Sequence, residues 1–137
     1  MKEKIVYVAL SLDIIHHGHI NIIQKASSYG KLVVGLITDK AIASNKRIPL
    51  LDYESRKKIL ENITGVYKIV PQNEWSYHIN ILKYKPDIFV HGDDWNLSES
   101  GKKQKLETLK ALKKINSKLI EIPHTKNINS YNLQETM

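Results

Sequence analysis

The stretch IVYVALSLDIIHHGHINIIQKA, residues 5–26, decides the fold of this chain. It opens with an uninterrupted apolar run, Ile5–Leu10, which is typical of a strand buried on both faces. It closes with residues 20–26, which have the composition of a helix. His16 and His19 therefore lie where a strand leads into the start of a helix. A strand followed by a short loop and a helix is the first part of a βαβ unit, and it predicts a parallel sheet.

This junction has the features of a phosphate site. Main-chain N–H groups at the start of a helix lack intrahelical partners and carry partial positive charge. Gly18 allows the backbone to approach a ligand closely, and His16 and His19 can donate hydrogen bonds to phosphate oxygens. The same two histidines also suggest a metal, but the sequence offers no third ligand at a metal-like spacing, so zinc is not expected. His17 has no assigned role.

Four further apolar runs are short, rich in Val and Ile, and near-continuous, as expected for buried parallel strands. They are Leu32–Ile37, Tyr67–Val70, Asp87–Val90 and Leu119–Ile122. Segments with helical spacing alternate with the strands, at Ile20–Tyr29, Tyr53–Ile63, Trp75–Leu82 and Leu106–Ile115. We therefore predict an α/β fold: one doubly wound domain with a five-stranded parallel sheet and helices on both faces.

Composition sets the broad class. A chain of 137 residues suits one core, so residues 1–137 are expected to form a single domain. The 42% apolar and 26% charged content is typical of globular proteins. The absence of cysteine excludes disulfides, thiolate catalysis and cysteine-ligated zinc. Without a signal-peptide pattern or an apolar run of membrane-spanning length, a cytoplasmic location with no membrane partner is expected.

Much of the net charge of +7 lies in one segment of the chain. Its lysines are Lys102, Lys103, Lys105, Lys110, Lys113, Lys114 and Lys118. The favoured interpretation is a solvated helix face, and the alternative is a surface that attracts anionic ligands. Nucleic-acid binding is not expected, because the segment lacks interleaved aromatic residues and matches no nucleic-acid motif.

Polar stretches follow several predicted strands. They are Asp13–His19, Thr38–Pro49, His91–Trp95 and Pro123–Tyr131. Ligands of open α/β sheets bind beyond the carboxyl ends of the strands, so we expect these stretches to form one site. The last three also have a plain structural interpretation: an exposed basic loop for Lys46 and Arg47, an ordinary turn at residues 92–95, and a frayed end after residue 123.

Together these motifs resemble those of the cytidylyltransferase-like nucleotidyltransferases, the H-x-G-H family. The markers are Asp13–His19, Thr38–Asp39, Tyr53–Lys57, Gly92–Trp95 and the turn around Ser130. The resemblance implies a Rossmann-like domain, CTP as the nucleotide, Mg²⁺ or another divalent cation as cofactor, and a homodimer. The Gly-Asp-Asp-Trp element favours cytidylyl over adenylyl transfer, which remains an alternative.

The same resemblance assigns roles to individual residues. It implies that His16, His19 and Lys46 are catalytic and that Asp13 binds the metal. It implies that Asp39 and Arg56 bind the acceptor. The alternative for Arg56 is an ion pair with Asp52 or Glu61. The implied nucleotide-binding residues are Leu10, Ser11, Asp13, Gly18, Arg47, Gly92, Asp93, Asp94, Trp95, His124, Thr125, Ile128 and Ser130.

The acceptor is the least determined part of this interpretation. The loop Ala43–Pro49 and the element His91–Trp95 are similar to those of cytidylyltransferase domains of phosphonate biosynthesis, which are often fused to phosphoenolpyruvate mutase. That similarity implies a small phosphonate such as 2-aminoethylphosphonate or a hydroxyalkylphosphonate. The alternative is glycerol 3-phosphate or another phospho-alcohol such as phosphocholine. Residues 127–131 differ from the family's Gly-Ile-Ser-Ser/Thr-Thr turn, which leaves open a CTP-binding regulator with a decayed site.

Overall fold

The structure, a computed structural model, describes residues 3–13, 17–45 and 49–123. Its five strands are β1 (Ile5–Leu10), β2 (Lys31–Ile37), β3 (Val66–Gln72), β4 (Ile88–Gly92) and β5 (Lys118–Ile122). Its α-helices are α1 (His17–Ser27), α2 (Asp39–Asn45), α3 (Tyr53–Glu61), α4 (His78–Tyr84) and α5 (Glu99–Lys114). A short 3₁₀ helix, Asp93–Leu97, lies between β4 and α5.

All the strand pairs are parallel, and the sheet order is β3-β2-β1-β4-β5. The chain moves outward from β1 to β3, returns to β4 beside β1, and continues to β5. The direction of winding therefore reverses between β1 and β4. The carboxyl ends of these two strands border the crevice in which ligands of such sheets bind.

Alternate residues of the strands face two separate cores. On one face, Val6 and Val8 pack with Ile23 of α1 and Leu60 of α3. On the other face, a second core contains residues from the strands, α4, α5 and the 3₁₀ helix: Tyr7, Ala9, Val33, Val70, Phe89, Tyr77, Ile81, Trp95, Ala111 and Leu112. The predicted doubly wound α/β fold, with helices on both faces of a five-stranded parallel sheet, is confirmed.

The predicted strands match closely, and the helices differ more. The α5 helix begins at Glu99, well before the first apolar residue of its stripe, because Ser98 caps it by accepting a hydrogen bond from the Gly101 N–H. Helix α2 was not predicted. Thr38 precedes it, and the Thr38 Oγ1 accepts from the Ala41 N–H at 3.3 Å. Among the described residues no helix has the length and apolar character needed to cross a bilayer.

The lysine-rich segment fits the interpretation of a solvated helix face. Thr108, Ala111 and Leu112 turn inward and are buried. Most of the lysines of α5 lie on the opposite side and are exposed. Lys105 is the exception in this helix, since its side chain is only 28% exposed and forms an ion pair with Glu121.

A buried polar group lies inside the second core, at the phenol of Tyr7. Its hydroxyl donates to Gln72 Oε1 at 2.6 Å and accepts from Asn80 Nδ2 at 2.8 Å. Gln72 Nε2 in turn donates to two carbonyl oxygens of the loop after β3, those of Glu74 and Ser76. The ring of Tyr7 lies directly over Gly35 of β2, where an added Cβ would be 1.8 Å from the phenol oxygen.

We predict that Gly35→Ala destabilises the protein by about 1–3 kcal/mol through overpacking. The test is a double-mutant cycle with Tyr7→Leu, followed by urea unfolding. Leucine removes the ring end that meets the added methyl group, so Gly35→Ala should cost clearly less in that background. Additive costs in the two backgrounds would contradict the assigned contact.

Candidate active site

The first turn of α1 lies beside the end of β4. Helix α1 begins at His17, so the main-chain N–H groups of Gly18 and His19 belong to its first turn. The side chain of His19 is buried, with 9% of its surface exposed. Ile22, one turn further on, has its Cδ1 3.9 Å from the position of a Cβ added to Gly92. The fold therefore brings helix α1, whose first turn contains His19, close to Gly92 at the end of β4.

The turn after β4 combines one exposed carboxylate with a buried indole. Asp94 is exposed, and its Oδ1 would be 3.2 Å from a Cβ at Gly92, so the absence of a side chain there allows this close approach. Trp95 is 4% exposed and packs into the second core. Asp93 is half-buried at the start of the 3₁₀ helix.

His91 contacts both ends of this turn. Its ring stacks on Trp95, with centroids 3.6 Å apart and planes 10° from parallel. Its Nδ1 lies 2.7 Å from the Gly92 carbonyl oxygen, and its Nε2 lies 3.1 Å from the Tyr77 hydroxyl. A carbonyl oxygen only accepts, so Nδ1 carries the proton and the neutral Nε2 accepts from Tyr77. Burial lowers the pKa of His91, despite its bond to Gly92 and the nearby carboxylates of Asp94 and Glu121.

A second set of contacts holds the other side of the turn. Asn96 Nδ2 donates to the Asp93 carbonyl oxygen at 2.9 Å and to Glu121 Oε2 at 3.0 Å. Lys105 donates to Asn96 Oδ1 at 3.0 Å and pairs with Glu121. The hydrogen bond from Lys105 is the main cause that lowers the pKa of Glu121. The turn is thus connected to β5 and α5 as well as to β4.

Asp13 holds the loop before α3. Its side chain is 4% exposed, and its Oδ1 accepts from the N–H groups of Leu50 at 2.7 Å and Leu51 at 3.3 Å. The preceding residue, Leu12, has a left-handed backbone with φ of 53° and a side chain buried in the first core. For a residue with a Cβ this conformation costs about 1–2 kcal/mol. Burial of the leucine side chain offsets that cost. The left-handed backbone at Leu12 directs Asp13 toward the loop.

The role of Asp13 as a metal ligand stays a prediction. One of its oxygens is already committed to two main-chain donors. In addition, the described part of the chain contains no group of three or more His, Cys, Asp or Glu side chains that could hold a metal ion. A divalent cation remains a prediction from the family resemblance.

Arg56 is fully buried, and this corrects the prediction that it contacts the acceptor. Its Nη1 donates to the carbonyl oxygens of Ser11 at 2.6 Å and Ile37 at 2.7 Å. Its Nε donates to the Leu51 carbonyl oxygen at 3.0 Å, and its Nη2 pairs with Asp39 Oδ1 at 2.6 Å. With 0% of its side chain exposed, the guanidinium is not open to a ligand. Its ionic partner is neither of the two acidic residues considered from the sequence.

Asp39 keeps an accessible side. Its side chain is 45% exposed, although Oδ1 pairs with Arg56 and Oδ2 accepts from the Tyr53 N–H at 3.2 Å. The predicted N-cap is confirmed, since Asp52 Oδ1 accepts from the Ser55 N–H at 2.8 Å. Asp39 therefore joins the starts of α2 and α3, and it remains a candidate for contact with an acceptor.

The described residues contain part of the predicted site. Leu10 ends β1 and Ser11 follows it, and β1 pairs with β4, the strand that leads into the turn formed by Gly92, Asp93, Asp94 and Trp95. The following predicted site residues lie outside the described ranges: His16, Lys46, Arg47, His124, Thr125, Ile128 and Ser130. Their roles remain predictions from the sequence.

The sequence reasoning missed two aromatic residues of the loop after β3. Trp75 is half-buried against a small cluster made by Ile37, Ala41 and Ile42, at the carboxyl end of β2. Tyr77 is 7% exposed and meets His91. Trp75 was assigned to a helical stripe and Tyr77 was not singled out, and their position after a strand was the signal that associates them with the site.

The comparisons with known proteins agree with this fold. The family model described as cytidylyltransferase-like matches residues 11–135. A glycerol-3-phosphate cytidylyltransferase of Bacillus spizizenii is 33% identical over 139 residues, which span 100% of this chain and 98% of that protein. The chain belongs to the cytidylyltransferase-like family. It is an enzyme of the nucleotidyltransferase class.

Two further similarities extend this result. An ethanolamine-phosphate cytidylyltransferase of Mus musculus is 35% identical over 92 residues, which cover 66% of this chain and 23% of that protein. Among solved structures, a lipopolysaccharide core biosynthesis protein from Thermoplasma volcanium superposes with a TM-score of 0.73 at 25% identity. That superposition covers 91% of this chain and 100% of the other.

We predict that Arg56→Met lowers the free energy of unfolding by about 3 kcal/mol, because three carbonyl oxygens and Asp39 lose their partner. Urea unfolding followed by circular dichroism measures this. The matched control is Lys58→Met on the exposed side of the same helix, which should change stability by about 0.5 kcal/mol at most. Equal stabilities of the two variants would contradict the anchoring role.

Proposed function

We propose that this protein transfers the cytidylyl group of CTP to a small phosphorylated alcohol and releases pyrophosphate, with glycerol 3-phosphate as the first candidate acceptor. The observation that carries the proposal is the full-length similarity to a protein named glycerol-3-phosphate cytidylyltransferase. The similarity to an ethanolamine-phosphate cytidylyltransferase supports the same acceptor class, a phosphate monoester of a small alcohol. These relatives favour the phospho-alcohol alternative over the phosphonate expected from the loop motifs.

The chemistry requires little from the protein beyond positioning. An oxygen of the acceptor phosphate attacks the α-phosphorus of CTP, the bond from this phosphorus to the bridging oxygen breaks, and pyrophosphate leaves. The attacking oxygen is anionic at neutral pH, so a strong general base is not needed. Catalysis then depends on alignment of the two phosphates and on hydrogen-bond donors directed at the charge that develops during transfer.

The start of α1 is suited to supply such donors. The first-turn N–H groups of this helix carry partial positive charge, and His19 belongs to the same turn. In the proposal His19, together with His16, donates to phosphate oxygens of CTP. Lys46 and Arg47 neutralise the leaving pyrophosphate, and Ser130 and its neighbours hold the distal phosphates.

The base is proposed to bind at the turn after β4, on the opposite side of the crevice. Asp94 presents an exposed carboxylate there, and the buried indole of Trp95 supports the turn. On the acceptor side, Asp39 offers its open face near the loop that carries Leu50 and Leu51. The leucine side chains of this loop are 57% and 36% exposed, so they form an apolar rim at which an acceptor can be distinguished.

A phosphonate acceptor is the second candidate. It is favoured by the Ala-Ser-Asn-Lys-Arg-Ile-Pro loop at residues 43–49 and by the His-Gly-Asp-Asp-Trp element at residues 91–95. A phosphonate oxygen is anionic and attacks in the same way, so the donor side of the site serves both acceptor classes. A CTP-binding regulator without turnover is the non-enzymatic alternative.

The proposal predicts pyrophosphate release from CTP with glycerol 3-phosphate, at a kcat/KM at least about tenfold above that of other acceptors. The assay includes Mg²⁺ and compares glycerol 3-phosphate, ethanolamine phosphate, phosphocholine, 2-aminoethylphosphonate and hydroxyethylphosphonate, with ATP replacing CTP in a parallel series. Release with a phosphonate alone would establish the second candidate instead. Binding of CTP without release across the panel would favour the regulator.

His19→Ala should lower kcat by about 100-fold or more, because one donor to the developing charge is lost. The KM for CTP should change much less, since other groups hold the nucleotide. His17→Ala is the matched control: it removes a neighbouring, exposed imidazole and should leave turnover close to that of the wild type. A His19→Ala enzyme with nearly normal kcat would contradict the role.

A further inference from the structure

The turn that carries Asp94 depends on one side chain in two ways. His91 stacks its ring on Trp95 at 3.6 Å and donates its Nδ1 proton to the Gly92 carbonyl oxygen at 2.7 Å. The first contact orients the indole at the end of the turn, and the second fixes the peptide at its beginning. Residues 92–95 are therefore held at both ends by the same imidazole.

The orientation of this imidazole is itself determined by its surroundings. The Tyr77 hydroxyl lies 3.1 Å from His91 Nε2 and donates to it, which leaves Nδ1 as the protonated nitrogen. Phe89 of the same strand stacks on the imidazole with centroids 6.5 Å apart, and Tyr77 packs on Phe89. The ring therefore has one tautomer and one position, and it presents its donor to Gly92.

We infer that His91 is a positioning residue for nucleotide selection: as a neutral imidazole it places the Gly92–Trp95 turn so that this turn distinguishes cytosine from other bases. This inference rests on the proposed function, in which the turn holds the base. His91 acts through Gly92 and Trp95, and it is not assigned a contact with the nucleotide.

The chemistry of the base explains why placement matters. Cytosine carries an amino group, a hydrogen-bond donor, at the pyrimidine 4-position, whereas uracil carries a carbonyl oxygen, an acceptor, at the same position. A carboxylate and main-chain groups that are fixed to within a fraction of an ångström discriminate strongly between a donor and an acceptor, and a turn that can shift discriminates weakly. Asp94, whose carboxylate lies over Gly92, moves with the peptide that His91 holds.

The contacts on the far side of the turn are a separate support. Asn96, Glu121 and Lys105 connect the turn to β5 and α5. The Trp95 indole faces Glu121 and contributes to lowering the pKa of that carboxyl. This second support should keep the turn folded when His91 is replaced. Loss of His91 should therefore alter selectivity more than stability.

Protonation of His91 gives the inference a pH signature. In the protonated ring, Nε2 becomes a donor that faces the Tyr77 hydroxyl. That hydroxyl, which donates to the neutral ring, would then have to accept. The charged groups near His91 are Asp94 on its own turn and Glu121 on β5, which favour protonation, whereas burial opposes it. Because the pKa is lowered below its ordinary value, CTP affinity should be constant near neutral pH and fall only on the acid side.

The test is titration calorimetry of CTP and UTP with the wild type, His91→Phe and His91→Asn. Phenylalanine retains the ring on Trp95 without either hydrogen bond, and asparagine retains a donor near the position of Nδ1. For His91→Phe we expect CTP binding about fivefold weaker with UTP binding nearly unchanged, so that the preference for CTP falls by the same factor. His91→Asn should recover part of that preference.

A buried residue on the same strand provides the control. Val90→Ala removes methyl groups from the first core next to His91, and it should lower the melting temperature without changing the ratio of CTP to UTP affinity. The acid-side loss of CTP affinity should be present in the wild type and in Val90→Ala, and absent from His91→Phe. Measuring the variants in parallel removes the contribution of the nucleotide's own titration.

The outcomes separate this inference from the proposed function. If the wild type prefers CTP and His91→Phe has the same preference, the positioning role is overturned and the proposed function stands. If Val90→Ala loses the preference equally, the effect belongs to general stability, and the positioning role is likewise overturned. If the wild type binds no CTP, the proposed function is overturned together with this inference.

Discussion

The arrangement of the candidate site depends on the burial of a single guanidinium group. Arg56 joins four parts of the chain: the residue after β1, the end of β2, the loop before α3 and the start of α2. Its partners there are Ser11, Ile37, Leu51 and Asp39. A buried cation is tolerated only where its donors are satisfied, and the fixed fork of arginine meets several carbonyl oxygens at once. The interaction therefore sets the distance between the strand ends and the loop that covers them.

This anchoring on main-chain atoms leaves the ligand-facing positions to other elements. On one side of the crevice is the first turn of α1, whose N–H groups are directed outward by the geometry of the helix. On the other side is the turn after β4, held by His91 from below and by Asn96 from the side of β5. A reaction that proceeds mainly by positioning requires such fixed surroundings, since small displacements of a donor weaken its effect strongly.

The fold could be predicted from the sequence, whereas most of the hydrogen bonds that hold the candidate site could not. Buried parallel strands are continuous apolar runs, so each strand was found within a few residues. Helix α2 has only seven residues, of which Ala41 and Ile42 are buried, too few for a helical period to be recognised. The partners of Arg56 are mostly main-chain carbonyl groups, which any residue carries. Such contacts leave no pattern in the sequence, and the same holds for the bond from His91 to Gly92.

In the proposed function, the main-chain groups that hold the loop before α3 are separate from the side chains that meet the acceptor. Relatives of this chain include a glycerol-3-phosphate and an ethanolamine-phosphate cytidylyltransferase. Asp13 and Arg56 hold the loop before α3 by its N–H and carbonyl groups, while the side chains of Leu50 and Leu51 extend outward. Substitutions of these outward side chains leave the main-chain bonds intact. In the proposed function, the acceptor rim can therefore change its chemistry while the main-chain bonds that hold the loop are retained.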